Sequence, residues 1–151
     1  MKKILSNIYS GWITIQLEDK KYQASYLEDT PQDILDALSL YIKKRIPQVI
    51  KVSLEENGEI YIIFDWYITV VEDEGIHNFG YRIGTVDFAR KYLKEIKKLK
   101  DKIINDFYCG IYGKKAGDRL QKKINTLEKL LTEGEKKWLF YIQQVAQSAT
   151  Y

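Results

Sequence analysis

Near residue 84 the rhythm of the apolar residues changes. Before it they alternate in short runs broken by turn signals; after it they recur every three or four residues. A period of two belongs to strands and a period of 3.6 to helices. The pattern therefore predicts a sheet-forming part followed by a helix-forming part. The charge changes sign at nearly the same place. Up to Gly75 there are 8 Lys and Arg against 13 Asp and Glu, and from Ile76 there are 16 against 8.

At 151 residues the chain reads as a single domain, with a sheet-rich acidic part over 11–84 and a helical basic part over 85–151. An apolar fraction of 45% is enough for a real core, so disorder is expected only in the first ten residues and the last few. The single cysteine, Cys109, excludes an intrachain disulfide and a thiolate metal cluster. The first residues lack the apolar run of an export signal, and the longest apolar stretch, Ile60 to Val71, is interrupted by Asp65. No membrane association and a cytoplasmic location are the expectation. Only four basic residues are Arg (Arg45, Arg82, Arg90, Arg119), a bias that drift in an AT-rich bacterial genome would supply.

The expected architecture is α+β: an antiparallel sheet of two hairpins, ββαββ with a possible fifth strand, packed with a C-terminal antiparallel helical hairpin plus a last helix. A turn at Asp19-Lys20 would pair Leu17 with Tyr22, Ile15 with Ala24 and Ile13 with Tyr26, so the apolar faces coincide. Thr30 suits an N-cap, Pro31 the first helical turn and Asp33 the third position, and Ile34, Leu35, Leu38, Tyr41 and Ile42 make one stripe ending near Lys44. A loop of Glu56-Asn57-Gly58 with Gly58 left-handed would pair Leu54 with Ile60, Val52 with Ile62 and Ile50 with Phe64. The next strand would run from Glu59 to about Val71, with Ile60, Ile62, Phe64, Trp66, Ile68 and Val70 inward. Its other face is apolar enough to need cover, from the C-terminal helices or from a partner. Residues 76–83 read as a short strand or a loop. Thr85 can cap a helix reaching about Tyr108, with Val86, Ala89, Leu93, Ile96, Ile103 and Phe107 on one side. The following helix starts near Asp118, on Leu120, Ile124, Leu127 and Leu131. The capping box Thr132-Glu133-Gly134-Glu135 predicts a break before a last helix carrying Trp138, Leu139, Ile142, Val145 and Ala146.

No catalytic constellation emerges, and no cofactor or metal is expected. His77 is the only histidine and has no visible companion; grouped with Glu72, Asp73 and Glu74 it shows no recognised metal spacing. Cys109 lies near Lys114 and Lys115, which would favour a thiolate, but no His or Asn partner can be assigned. Asp29, Asp33 and Asp36 gather at the first helix, where a capping role argues against an acid/base pair. The segment from Gly110 to Lys115 fails the Walker pattern in spacing and in its last residue. Gly110-Ile111-Tyr112-Gly113 between two helices resembles the loop of a KH RNA-binding domain, which implies contact with a nucleic-acid backbone; the strands that family places around its helices are missing downstream.

What remains is surface. Acidic and aromatic residues (Asp65, Tyr61, Tyr67, Glu72, Asp73, Glu74 and Tyr81) are expected to meet a protein partner, because aromatics anchor interfaces. The chain then reads as a non-enzymatic protein-binding module of bacterial origin, such as a toxin-neutralising immunity protein or a small regulatory inhibitor. The alternative is nucleic-acid binding through Arg90, Lys94, Lys97, Lys98, Lys114 and Lys115.

Overall fold

The computed structural model describes residues 3–54, 58–72, 75–78, 84–109 and 115–149. Strands β1 (Leu5–Tyr9), β2 (Trp12–Leu17) and β3 (Lys20–Ser25) precede helix α1 (Thr30–Lys44). Strands β4 (Gln48–Ser53), β5 (Glu59–Phe64), β6 (Ile68–Glu72) and β7 (Gly75–Asn78) follow, and then helices α2 (Thr85–Lys102) and α3 (Lys115–Ala149). The strands form two antiparallel sheets, ordered β1-β2-β3 and β4-β5-β6-β7, tied among the described residues by a bridge between Ala24 and Leu54. Both sheets and the three helices share one apolar core. The α+β expectation holds, with one more strand at the start and a different division of the middle.

The first residues are not loose. Ile4, Leu5 and Ile8 are buried, and β1 pairs with β2 through Leu5↔Ile15 and Ser6↔Thr14. The Glu95 carboxylate on α2 accepts the backbone N–H groups of Ile4 and Leu5 at 2.8 and 3.0 Å, which ties the strand down. Gly11, at φ +84°, closes the turn into β2; a Cβ there would lie 2.7 Å from the Tyr26 ring.

Both predicted hairpins form, each with its register displaced by two residues. Ile15 pairs with Tyr22 and Ile13 with Ala24, because the turn is made at Glu18-Asp19 with Glu18 left-handed. Val52 pairs with Ile60 and Ile50 with Ile62, and the Leu54 N–H reaches the Gly58 carbonyl at 2.8 Å. Gly58 is left-handed as expected; the rest of the expected loop, residues 55–57, lies outside the described set. A displacement of two preserves every inward face.

The long strand expected from Glu59 to Val71 is a hairpin. Phe64 pairs with Ile68 across Asp65-Trp66-Tyr67, so Trp66 sits at the tip, 73% exposed, instead of in the core. Ile60, Ile62, Phe64, Ile68 and Val70 are buried as predicted. β7 then pairs Ile76 with Val71 and His77 with Val70, settling residues 75–78 as strand. Residues 79–83 lie outside the described set.

Helix α1 begins one residue early. Asp29 stands at the cap, Thr30 is already helical, and the Thr30 hydroxyl is buried with no hydrogen-bond partner. The helix ends at Arg45, left-handed, whose N–H returns to the Tyr41 carbonyl. Helix α2 buries Phe88 and Tyr92 in addition to Ala89 and Ile96, while Val86 and Leu93 are only half-buried. It continues as a π-helical turn, Ile103–Phe107, with the Tyr108 N–H on the Ile103 carbonyl. The extra residue in that turn lets Ile103, Phe107 and the adjacent Tyr108 all reach the core.

Helix α3 is continuous for 35 residues, so the break expected at Thr132 is absent. The Thr132 hydroxyl donates to the Glu128 carbonyl inside the helix instead of capping a new one. Leu120, Ile124, Leu127 and Leu131 are buried as predicted, whereas Trp138, Leu139, Ile142, Val145 and Ala146 are exposed.

Candidate functional site

The helices pack on the inner face of the second sheet, where the Phe64 and Phe88 rings lie 5.9 Å apart. They do not cover the outer face, so of the two expected sources of cover the C-terminal helices are not the one used. There the registers align Val49, Ile63 and Thr69 in one row and Lys51, Tyr61 and Val71 in the next. Val49 is 58% exposed and Tyr61 39%, while Ile63, Thr69 and Val71 are half-buried. The Tyr61 hydroxyl donates to Glu59 at 2.9 Å, and Lys51 lies 3.5 Å from Glu28 and 3.6 Å from Glu59. Those two carboxylates, Glu59 foremost, hold the Lys51 ammonium above its ordinary pKa.

This face runs into a groove of about 330 Å³ between α1 and β4. Leu40, Val49 and Ala37 form apolar walls, Glu28, Asp33 and Asp36 supply carboxylates, and Lys51 supplies an ammonium. Glu28 is fixed by the backbone N–H and hydroxyl of Ser53 at 2.9 and 2.8 Å. Asp36 receives Lys123 of α3 at 2.7 Å. Partial burial, then the neighbouring Asp29 and Asp36, push the Asp33 carboxyl from 3.8 to about 6, against the pull of Lys123. Asp29 is also raised, by burial first, although the Tyr108 hydroxyl hydrogen-bonds it at 3.0 Å and stabilises its charge. Tyr108 in turn accepts from Gln32 at 2.8 Å, and Tyr92 donates to the Pro31 carbonyl at 2.9 Å. Burial raises the Tyr92 pKa far above the usual tyrosine range. The α1 N-terminus is thus held by a buried polar network, with Asp33 and the Lys123-paired Asp36 on its outer side.

The residues singled out from sequence divide. Tyr61 lies on the outer face; Asp65 and Tyr67 are exposed at the β5–β6 tip. Glu72 does not belong to that surface. It points to the inner side, where its carboxylate takes the Tyr22 hydroxyl at 2.5 Å and lies 3.9 Å from Lys20. Asp73, Glu74 and Tyr81 lie outside the described residues, as do the glycine-rich segment 110–113 and Lys114. The acidic groove was missed as a site, although Asp33 and Asp36 share one side of α1 in the sequence pattern.

The basic alternative is laced with acids. Lys97 meets Glu128 at 2.6 Å, and Arg90 meets Asp87 at 3.2 Å and Glu135 at 3.3 Å. Lys94, Lys98 and Lys115 are exposed. Cys109 is exposed with its Sγ 2.8 Å from the Asp106 carbonyl, and His77 contributes its backbone to β7. Among the described residues no cluster of His, Cys, Asp and Glu is arranged to hold a metal ion, and no described helix is long and apolar enough to cross a membrane. No family model, no characterised relative and no solved structure matches this chain.

Proposed function

We propose that this chain is a non-enzymatic protein-binding module of bacterial origin, working in the cytoplasm as a toxin-neutralising immunity protein or a small regulatory inhibitor. The observation that carries the reading is the continuous surface from Tyr61 and Val49 into the groove of Glu28, Asp33 and Asp36. It offers apolar area beside carboxylates, where burial first and then the neighbouring Asp29 and Asp36 raise Asp33 to about 6. A cationic side chain entering the groove relieves that crowding, so charge complementarity selects a basic partner.

The test is affinity capture from a lysate of the native organism, comparing the wild type with Asp33→Asn/Asp36→Asn and with Tyr61→Ala. A basic protein should be retained by the wild type through moderate salt, depleted at high salt, and lost from both variants. Equal capture by all three ends the reading. Capture abolished by nuclease, and weakened by charge reversal at Lys94 and Lys98, would instead favour the nucleic-acid alternative.

A further inference from the structure

The C-terminal half of α3 leaves the body. Leu131 is buried, and every residue from Thr132 to Ser148 is exposed. At 1.5 Å per residue this arm is about 25 Å long. Its apolar residues are in phase with the packed half. At 100° per residue, Leu120, Ile124, Leu127 and Leu131 define the seam that α1 and α2 cover. Trp138, Ile142 and Val145 fall within about 40° of the same line, Leu139 and Tyr141 flank it, and Phe140 points the opposite way. Glu135, also near that line, reaches back to Arg90 at the edge of the body. One seam therefore runs the length of α3, covered in its first half and bare in its second. Trp138 is 61% exposed and Ile142 43%. A lone helix of this length is marginal in water, and an apolar stripe of this size marks an interface.

Composition selects the occupant. Residues 138–151 contain no Asp, Glu, Lys or Arg. The distal arm therefore offers no charge complementarity to an acidic or basic protein, and no attraction to an anionic lipid surface. What it offers is a helical seam of the kind that already packs helix on helix inside the body. Among the described helices, α3 alone carries such a seam uncovered.

We propose that residues 132–149 pair antiparallel with the same segment of a second copy, giving a two-fold symmetric dimer. The antiparallel sense keeps the two bodies at opposite ends of the paired arms. With the two-fold axis at Ile142, Trp138 falls opposite Val145 and Ala146 of the second copy, a large side chain against small ones, twice over. By their fractional exposures Trp138, Leu139, Tyr141, Ile142 and Val145 together present about 600 Å² per copy, so the pair buries at most about 1,200 Å², the lower end of specific stable interfaces. This surface is separate from the acidic groove, so the failure of either proposal leaves the other standing.

Sedimentation equilibrium of the full chain tests it, separating a 17.8 kDa monomer from twice that mass. A dimer is expected whose dissociation constant barely responds to sodium chloride. Ile142→Glu should weaken it about a hundredfold or more, because each arm would bury a charge against the other. Phe140→Ser, on the opposite side of the helix, should leave it unchanged. The urea transition of the body in Ile142→Glu, unaltered, reports that the variant folds. With Cys109→Ser, nitroxides placed at residue 133 should lie roughly 30 Å apart in the antiparallel pair and about 10 Å apart in a parallel one. A monomer at every concentration overturns the proposal. So does a dimer indifferent to Ile142→Glu, an equal loss with Phe140→Ser, the short nitroxide distance, or pelleting of the monomer with phosphatidylcholine vesicles.

Discussion

Replacing Asp33 with Asn should stabilise the protein at neutral pH. Asp33 lies in the first turn of α1, where the helix dipole favours a negative charge by about 0.3–1 kcal/mol. Partial burial and the carboxylates of Asp29 and Asp36 outweigh that benefit and raise its pKa from 3.8 to about 6. A carboxyl that titrates higher in the folded state binds more protons when folded than when unfolded between those two values. Stability attributable to Asp33 is therefore greatest below about pH 4 and falls as pH rises towards about 6, beyond which the penalty is complete. In a dry site the shift would correspond to about 3 kcal/mol. Asp33 is half-exposed and solvent screens its neighbours, so about 1 kcal/mol is the expected effect. Urea denaturation of the wild type and Asp33→Asn at pH 7 and pH 3.5 measures it. The variant should gain about 1 kcal/mol at pH 7 and close to nothing at pH 3.5. A carboxyl carbon titration by NMR should place the Asp33 midpoint near 6. Destabilisation at pH 7, an equal effect at both pH values, or a midpoint in the ordinary range would refute the burial and crowding assigned to Asp33.

Glu95→Ala removes the acceptor for the Ile4 and Leu5 amides and should cost about 1–3 kcal/mol, with hydrogen exchange at those two amides rising most. Trp66→Ala at the hairpin tip should change stability by less than about 0.5 kcal/mol, whereas Phe64→Ala should cost about 3–5 kcal/mol; comparable losses in chemical denaturation would mean that Trp66 is a core residue after all. Tyr108→Phe takes the hydroxyl from between Asp29 and Gln32 and should cost about 1–3 kcal/mol in the same assay.

The displaced hairpins and the missed β5–β6 reversal share a cause. A period of two states which face a residue belongs to and is blind to any displacement by two. Both hairpins moved by that amount, to Ile15↔Tyr22 and Val52↔Ile60, and the paired inward residues stayed inward, whereas Tyr26, expected opposite Ile13, falls beyond the pairing and is 40% exposed. The Asp65-Trp66-Tyr67 loop hides in the same way. Phe64 and Ile68 are paired four positions apart, so the alternation passes through the reversal unbroken, and only the exposure of Trp66 reveals it. β1 was illegible for the opposite reason. Asn7 is left-handed and the register slips between Ser6 and Tyr9, so Ile4, Leu5 and Ile8 are buried without alternating.

The two surfaces proposed here failed to show for a different reason. Periodicity states that a side chain requires cover, and nothing in it states what supplies the cover. The stripe of Trp138, Ile142 and Val145 reads identically whether it packs on the body or stands free. The local signal that would have folded it back, a capping box at Thr132, competes with uninterrupted helix across Gly134, and a glycine costs only about 1 kcal/mol there. Helix continuity wins, and the seam is carried in phase beyond Leu131. The acidic groove is the electrostatic counterpart. Asp33 and Asp36 are visible on one side of α1, but the Val49 wall and the Glu28 carboxylate fixed on Ser53 arrive through β4, a contact no local pattern encodes. Salt should separate the two proposals: a cationic partner should leave the groove as ionic strength rises, whereas pairing through residues 138–149, which carry no Asp, Glu, Lys or Arg, should be insensitive to it.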